Sequence, residues 1–120
     1  MKKLIVSLKS SSDVLDDFSK AFQEAKNGKL KEHYEISFDK KSDFEKFIRN
    51  LTILRLIVQF KPSSIYELSK ILQKDVSNLT KIVKFYESHG VITIKKDKKD
   101  GRELSRPVVN YKKIEFDLAA

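Results

Sequence analysis

Basic side chains are concentrated in one segment of this sequence, between Lys74 and Arg106. The segment holds nine Lys or Arg and five Asp or Glu, so it carries about half of the +8 net charge of the chain. Ammonium and guanidinium groups pair with phosphate oxygens, so the cluster favours nucleic acid or an acidic membrane face as the partner. A lysine-rich composition can produce the same excess, and charge alone therefore leaves the partner open.

The sequence offers little for catalysis or metal binding. It contains no cysteine, which excludes disulfides and thiolate metal sites. The two histidines, His33 and His89, are far apart and have no ligand spacing around them. Catalysis needs converging groups such as a nucleophile beside a base or paired carboxylates, and the sequence shows no such set. We therefore expect a protein that is not an enzyme and that uses no metal or cofactor.

The first 40 residues predict a β-α-β element. Branched residues over 3–8 indicate one strand, and the alternation of apolar and polar residues over 33–38 indicates another. Between the two strands, apolar residues recur at spacings of three and four, which predicts a helix capped by Ser11 or Ser12.

An apolar helical stripe follows and ends at Phe60, before Lys61 and a proline. Ser42 and Glu45 have the spacing of a capping box at its start, in which the Ser side chain accepts a backbone N–H bond. The stripe fits either one bent helix or two short ones, with Asn50 as the expected break.

A second capping box, Ser64 to Glu67, opens a short helix. Its predicted inward residues are Ile65, Leu68, Ile71 and Leu72. After a tight connection, a longer helix begins at Asp75 or Ser77 and ends near His89. Its predicted core residues are Val76, Leu79, Val83 and Tyr86.

The remaining sequence predicts β structure. A strand over 91–95 and a turn over 96–101 lead to a returning strand over 104–109, with the Asp-Gly pair of the turn as a strong hairpin signal. One more extended segment is expected within 111–118. The order of short helix, tight turn, longer helix and hairpin is typical of a winged helix-turn-helix.

In that layout the second helix lies in a DNA major groove and the hairpin touches a neighbouring backbone or minor groove. We therefore predict a recognition helix over 75–89 and a wing over 95–106. In and just before the helix, the predicted DNA-binding residues are Lys74, Ser77, Asn78, Lys81 and Lys84. In the wing they are Lys96, Lys98, Lys99, Arg102 and Arg106. Apolar Ile82 and Phe85 conflict with a purely polar reading side, and such lysines can also form only a solvated surface.

Several short motifs carry a family likeness. They are Ser-Asn-Leu-Thr-Lys at 77–81, Glu-Ser-His-Gly-Val-Ile at 87–92, Arg-Pro-Val-Val at 106–109 and Tyr-Lys-Lys-Ile-Glu at 111–115. Through these motifs the chain resembles a family of small MarR-like predicted transcriptional regulators of bacteria and archaea, and the likeness covers residues 34–118.

The resemblance implies a winged-helix DNA-binding fold, dimerisation and a role in transcription. Some members look like antitoxins encoded beside a toxin, which implies a repressor of its own operon. The chain departs from its relatives at two places. Lys81 stands where relatives often carry Arg, which weakens bidentate guanine recognition. The glycine often found between the two short helices is absent at Gln73 and Lys74, so we expect a differently built turn.

Together these patterns predict an α+β chain: a winged helix-turn-helix with an N-terminal β-α-β extension. Residues 1–40 are the predicted extension, a dimer or partner surface, and 41–120 the DNA-binding domain. We predict a homodimeric repressor that binds double-stranded DNA. Cytoplasmic placement is expected because the first apolar run ends at Leu8, too short for a secretory signal, and no membrane span is present. The alternative is an antitoxin or protein-interaction module that neutralises or scaffolds a cognate toxin or other protein.

Overall fold

The computed structural model describes residues 3–8 and 33–118. Their elements are, in order, β1 (Lys3–Leu8), β2 (His33–Phe38), α1 (Lys41–Arg49), α2 (Leu51–Phe60), α3 (Ile65–Leu72), α4 (Val76–Ser88), β3 (Ile92–Lys99), β4 (Arg102–Val109) and β5 (Lys113–Asp117). The predicted α+β class is thus confirmed. The helix predicted after Ser11 or Ser12 lies outside the described residues.

The described chain divides into two compact units. One consists of the residues up to Lys46 together with those from Tyr111 onward, and the other is Phe47–Asn110. The predicted boundary lay at residue 40 and placed everything after it in one domain. The observed division differs because the last strand, β5, pairs with the first strand of the chain.

The first unit contains a three-stranded parallel sheet in the order β2-β1-β5. Both β2 and β5 hydrogen-bond to β1, which is therefore the central strand. Leu4 and Val6 of β1 are fully buried, on the same face as Phe38 and Phe116. The ring of Phe44 in α1 lies 6.1 Å from each of those two Phe rings, so an aromatic cluster covers this face.

The second unit has its own apolar core. Its buried apolar residues include Phe47, Ile53, Leu54, Ile57, Leu68, Leu79, Val83, Tyr86, Val91 and Ile92. They come from α1, α2, α3, α4 and the start of β3, so the helices and the base of the hairpin share this core. The core therefore fixes the positions of α4 and the hairpin, which carry the predicted DNA-binding residues.

Two of the predicted helix starts have different outcomes. Ser64 is the N-cap of α3, and its hydroxyl accepts a 3.0 Å hydrogen bond from the backbone N–H of Glu67, as predicted. The predicted cap at Ser42 is wrong, because α1 begins at Lys41 and helical bonding starts one residue earlier still. The expected break at Asn50 is confirmed, since α1 and α2 are separate helices on either side of it.

The predicted inward sides of the two following helices are only partly right. In α3, Leu68 is fully buried, whereas Ile71 is exposed and Ser69 is buried instead. In α4, the predicted core residues are buried except Val76, which is 37% exposed. Val76 is the first residue of α4, and a side chain at the very end of a helix has fewer neighbours to cover it.

The hairpin strands are longer than predicted. The predicted six-residue turn over 96–101 is wrong, because β3 continues to Lys99 and β4 begins at Arg102. Only Asp100 and Gly101 form the turn, with φ of 54° and 77°. Two consecutive positive φ values are typical of a type I′ turn, whose twist matches that of the flanking strands. The Asp-Gly pair therefore forms the turn by itself, and the lysines before it belong to β3.

Asn110 closes the base of the hairpin. Its backbone N–H donates to the carbonyl of Val91 at 2.9 Å, and its side-chain amide donates to the carbonyl of Gly90 at 3.0 Å. The hydroxyl of Thr93 donates to the amide oxygen of Asn110 at 3.0 Å. These bonds hold the first residues of β3 beside the end of β4.

Across 3–8 and 33–118, the longest helix is α4 with 13 residues, and no helix is both long and apolar enough to cross a membrane.

Candidate nucleic-acid interface

Helix α4 separates a buried side from a polar exposed side. Leu79, Val83 and Tyr86 are fully buried, and Ile82 is only 8% exposed. At 100° per residue these positions form one side of the helix. The opposite side is therefore available to a partner along the whole length of α4.

The residues predicted from the sequence for this side of the interface are all exposed. They are Lys74, Ser77, Asn78, Lys81 and Lys84. Ser77, Lys81 and Lys84 follow each other at spacings of four and three, so they form a continuous row along the helix. Lys74 stands in the connection before the helix, and Asn78 lies beside the row. The structure thus groups the predicted residues on one surface of α4 and its preceding turn.

Ile82 and Phe85, the two apolar residues that conflict with a purely polar surface, both pack against other residues. Ile82 belongs to the core of the second unit. Phe85 is half-buried, with its ring 5.6 Å from that of Tyr86 and 4.8 Å from that of His89. Its aromatic contacts therefore turn Phe85 toward the end of the helix, where His89 is the C-cap of α4.

The connection between α3 and α4 uses a strained residue in place of glycine. Gln73 has φ 53° and ψ 43°, the left-handed conformation, and its backbone N–H bonds to carbonyls of α3. Asp75 is the N-cap of α4, one of the two predicted starts. A non-glycine residue in this conformation costs about 1–2 kcal/mol relative to glycine. The turn is therefore built around Gln73 in the left-handed conformation, without the glycine that relatives often carry there.

The two faces of the hairpin divide the predicted wing residues. Side chains alternate between faces along a strand, and directly opposed residues share a face. One face carries the opposed pairs Lys95–Arg106, Asp97–Leu104 and Lys99–Arg102. The other carries Lys96–Ser105 and Lys98–Glu103, followed by Ile94–Pro107 and Ile92–Val109. The five predicted residues are all exposed, but the register does not bring them to one surface.

Charge differs strongly between these two faces. Lys98 lies opposite Glu103, and the ammonium of Lys96 donates to the hydroxyl of Ser105 at 2.9 Å. On the face with Lys95 and Lys99, by contrast, each of these cations is opposed by an arginine. Lys95 is exposed and is absent from the predicted wing residues. The two-residue turn sets the register in which Lys95 lies opposite Arg106.

A cleft of about 530 Å³ lies between the tip of the hairpin and α3. Its walls include Tyr66, Glu67 and Lys70 of α3, and Lys99 and Arg102 beside the turn. The ammonium of Lys70 lies 4.6 Å from the ring centre of Tyr66, a cation–π contact. Tyr66 and Lys70 are not among the predicted site residues, because they belong to a different element from the basic segment. No periodicity in the sequence indicates which part of α3 faces the hairpin tip.

The residues in the described ranges contain no cluster of three or more His, Cys, Asp or Glu arranged to hold a metal ion. The predicted DNA-binding residues present ammonium, guanidinium, amide and hydroxyl groups. Such groups donate hydrogen bonds to phosphate oxygens and to the edges of bases.

Comparison with known proteins identifies a family for this chain. A search of curated proteins and a search of solved structures find no match. The HVO_A0114 family model matches residues 48–116, which include α2, α3, α4, the hairpin and most of β5. The match therefore spans the whole candidate interface. Because it covers more than half of the 120 residues, the chain belongs to the HVO_A0114 family.

Proposed function

We propose that this protein is a DNA-binding transcriptional regulator with a winged helix-turn-helix. In this proposal α3 and α4 are the helix-turn-helix, α4 is the recognition helix, and β3 with β4 is the wing. The observation that carries the proposal is the exposed row of Ser77, Lys81 and Lys84, backed by a fully buried side of the same helix. Because the opposite side of α4 is packed in the core, this row of side chains can enter a DNA major groove without a rearrangement of the helix.

The side chains of the row suit different parts of a duplex. Beside the row, Asn78 can pair with adenine by donating from its amide NH2 and accepting at its amide oxygen, and Ser77 can donate or accept at a base edge. Lys81 and Lys84 can bind guanine or phosphate, and Lys74 lies where a backbone phosphate would pass. At 1.5 Å per residue, α4 is about 20 Å long, which is enough to contact several successive base pairs.

Homodimerisation belongs to the same proposal. Two recognition helices related by a two-fold axis would contact half-sites about 34 Å apart, one turn of the duplex. The parallel sheet of the first unit is the candidate dimer surface, because the helix-turn-helix and wing are complete within the second unit. The antitoxin activity suggested by the MarR-like resemblance is compatible with a repressor of its own operon.

A fluorescence-anisotropy titration tests the proposal directly. The probe is a labelled duplex from upstream of the protein's own gene, compared with a scrambled duplex at several salt concentrations. We expect tight binding to the upstream duplex, a steep salt dependence and a clear preference over the scramble. Weak and equal binding to both would contradict the proposal and would turn attention to a protein partner.

The protein-interaction alternative is separated from DNA binding by charge reversal in the wing. Replacing Lys98, Lys99 and Arg102 by Glu should abolish DNA binding if the proposal is right. A pull-down with the product of the neighbouring gene, run on the same variant, reports partner binding independently. Loss of DNA binding with partner binding retained would assign both activities to one protein and separate their surfaces.

A further inference from the structure

We propose that the hairpin binds the DNA backbone through one face only, the face that carries Lys95, Lys99, Arg102 and Arg106. This inference rests on the proposed function and deepens it. It adds Lys95 to the predicted wing residues, and it removes Lys96 and Lys98 from the direct phosphate contacts. We call this surface the cationic face and its reverse the neutralised face.

Like charges lie opposite each other on the cationic face. Lys95 lies directly opposite Arg106, and Lys99 directly opposite Arg102. Like charges opposed across an antiparallel pair destabilise the hairpin. Two such pairs on the same face are therefore unfavourable in the free protein, and phosphate groups bound between the cations would relieve the repulsion.

The neutralised face shows how the same hairpin treats its other cations. Lys98 is opposed by Glu103, and Lys96 donates a hydrogen bond to Ser105 across the strands. Lys96 therefore has a hydrogen-bond partner on its own face, and Lys98 has an oppositely charged neighbour there. A phosphate would have to compete with the Glu103 carboxylate at Lys98, so the free energy gained from binding there is smaller.

Spacing on the cationic face fits the width of a groove. Lys95 and Lys99 are four residues apart in one strand, which corresponds to about 13 Å. The minor groove of B-DNA is about 6 Å wide. This width excludes the phosphate groups, so the distance between phosphorus atoms on its two sides is larger by the size of one phosphate group. The pair of Lys95 and Arg106 can therefore meet one backbone while the pair at the tip meets the other.

The single carboxylate of this face lies between the two cationic pairs. Asp97 is opposite Leu104, and its carboxylate accepts a hydrogen bond from the backbone N–H of Lys98 at 2.9 Å. In the proposed arrangement Asp97 lies over the groove and away from both backbones. Its charge therefore does not oppose either phosphate contact directly.

The tip of the cationic face lies beside α3 in the second unit. Lys99, Arg102 and Leu104 line the cleft whose other wall includes Tyr66, Glu67 and Lys70 of α3, a wall that carries one carboxylate and one ammonium. Helix α3 is the first helix of the proposed helix-turn-helix. The cationic face and the helix-turn-helix can therefore approach one duplex together.

Two double variants with the same loss of charge test the inference. Lys95→Gln with Lys99→Gln removes two cations from the cationic face, and Lys96→Gln with Lys98→Gln removes two from the neutralised face of the same strand. Both are titrated with the upstream duplex at several salt concentrations. For the first variant we expect an affinity at least tenfold lower and a slope of log K against log salt reduced by about 1.8. For the second we expect a change below about threefold.

Thermal unfolding of the free variants gives a readout that does not depend on DNA. The variant without Lys95 and Lys99 has lost both like-charge pairs, so its Tm should equal or exceed the Tm of the wild type. The variant without Lys96 and Lys98 should have a Tm equal to or lower than the Tm of the wild type. Equal losses of affinity in the two variants, or a larger loss in the second, would overturn the inference while the proposed function stands. Failure of the wild type to bind either duplex would instead overturn the proposed function, and this inference with it.

Discussion

The hydroxyl of Tyr86 in α4 donates a 2.6 Å hydrogen bond to the backbone carbonyl of Phe47 in α1. The last four carbonyls of a helix lack a partner within that helix, and Phe47 is among the last four residues of α1. The bond therefore satisfies a carbonyl at the break before α2. The two rings also pack edge to face, with centres 5.1 Å apart. Tyr86 thus joins the candidate recognition helix to the first helix of its unit.

Replacing Tyr86 by Phe should lower the free energy of unfolding by about 1–3 kcal/mol. The ring and its packing remain, but the buried carbonyl of Phe47 loses the hydrogen bond from the Tyr86 hydroxyl. Urea unfolding followed by circular dichroism measures the loss. A stability equal to that of the wild type would show that this carbonyl finds another donor at no cost.

Alkaline pH should lower the free energy of unfolding through ionisation of the Tyr86 hydroxyl. Burial raises the pKa of Tyr86 well above its ordinary value of 10.0. The folded chain then holds the phenol proton more tightly than the unfolded chain, so stability is full below pH 10 and falls as the pH rises further. The pKa of Tyr111 is also raised, first by burial and then by Tyr34, which acts in the same direction. Tyr86→Phe should show a shallower alkaline decline in urea unfolding, and an unchanged decline would contradict this assignment.

Removing the cations of α4 should weaken DNA binding. Lys81→Ala with Lys84→Ala is expected to lower affinity for the upstream duplex at least tenfold and to reduce the salt slope by up to about 1.8. Lys40→Ala with Lys112→Ala is the matched control, because both lysines are exposed and lie in the other unit. If the control lost as much affinity, the effect would be one of net charge and not of the row on α4.

The hairpin turn should depend on Gly101. Its φ is 77°, and a Cβ placed there would meet no atom within 4 Å, so substitution is strained by conformation and not by a clash. Gly101→Ala should lower the free energy of unfolding by about 1–2 kcal/mol, and Gly101→Asn by less, because Asn tolerates the left-handed region better. Equal costs for the two substitutions in urea unfolding would argue against this conformational explanation.

Deleting residues 1–28 should cause aggregation and not yield a stable monomer. The deletion removes β1, the central strand, and leaves β2 and β5 without the partner to which both are hydrogen-bonded. Unpaired strand edges promote association with other chains. Sedimentation velocity compares the truncated and full-length proteins. A truncated chain that sediments like the full-length protein would show that β1 is dispensable for both the fold and any dimer.

Local patterns in the sequence determined most of the elements. Alternation and branched residues predicted the strands at 3–8 and 33–38, and both are present. The Ser64 cap and the Asp100–Gly101 turn were predictable because each depends on residues next to one another in the chain. Apolar spacing likewise predicted the buried side of α4, with Val76 as the exception. The same spacing predicted five exposed residues in and before α4, and those positions follow from helical geometry alone.

Only the tertiary structure decided which distant elements pair and which side chains share a face. No local signal indicates that β5 joins β1, because the pairing of strands more than a hundred residues apart depends on the whole chain packing. The division of the hairpin cations followed from a register set by the two-residue turn, since a shift of one residue moves every side chain to the opposite face. The sequence therefore determined that the segment is basic and exposed. The fold decided that Lys95 and Lys99 oppose arginines, whereas Lys98 opposes Glu103, because opposition across a sheet is a property of pairing and not of sequence distance.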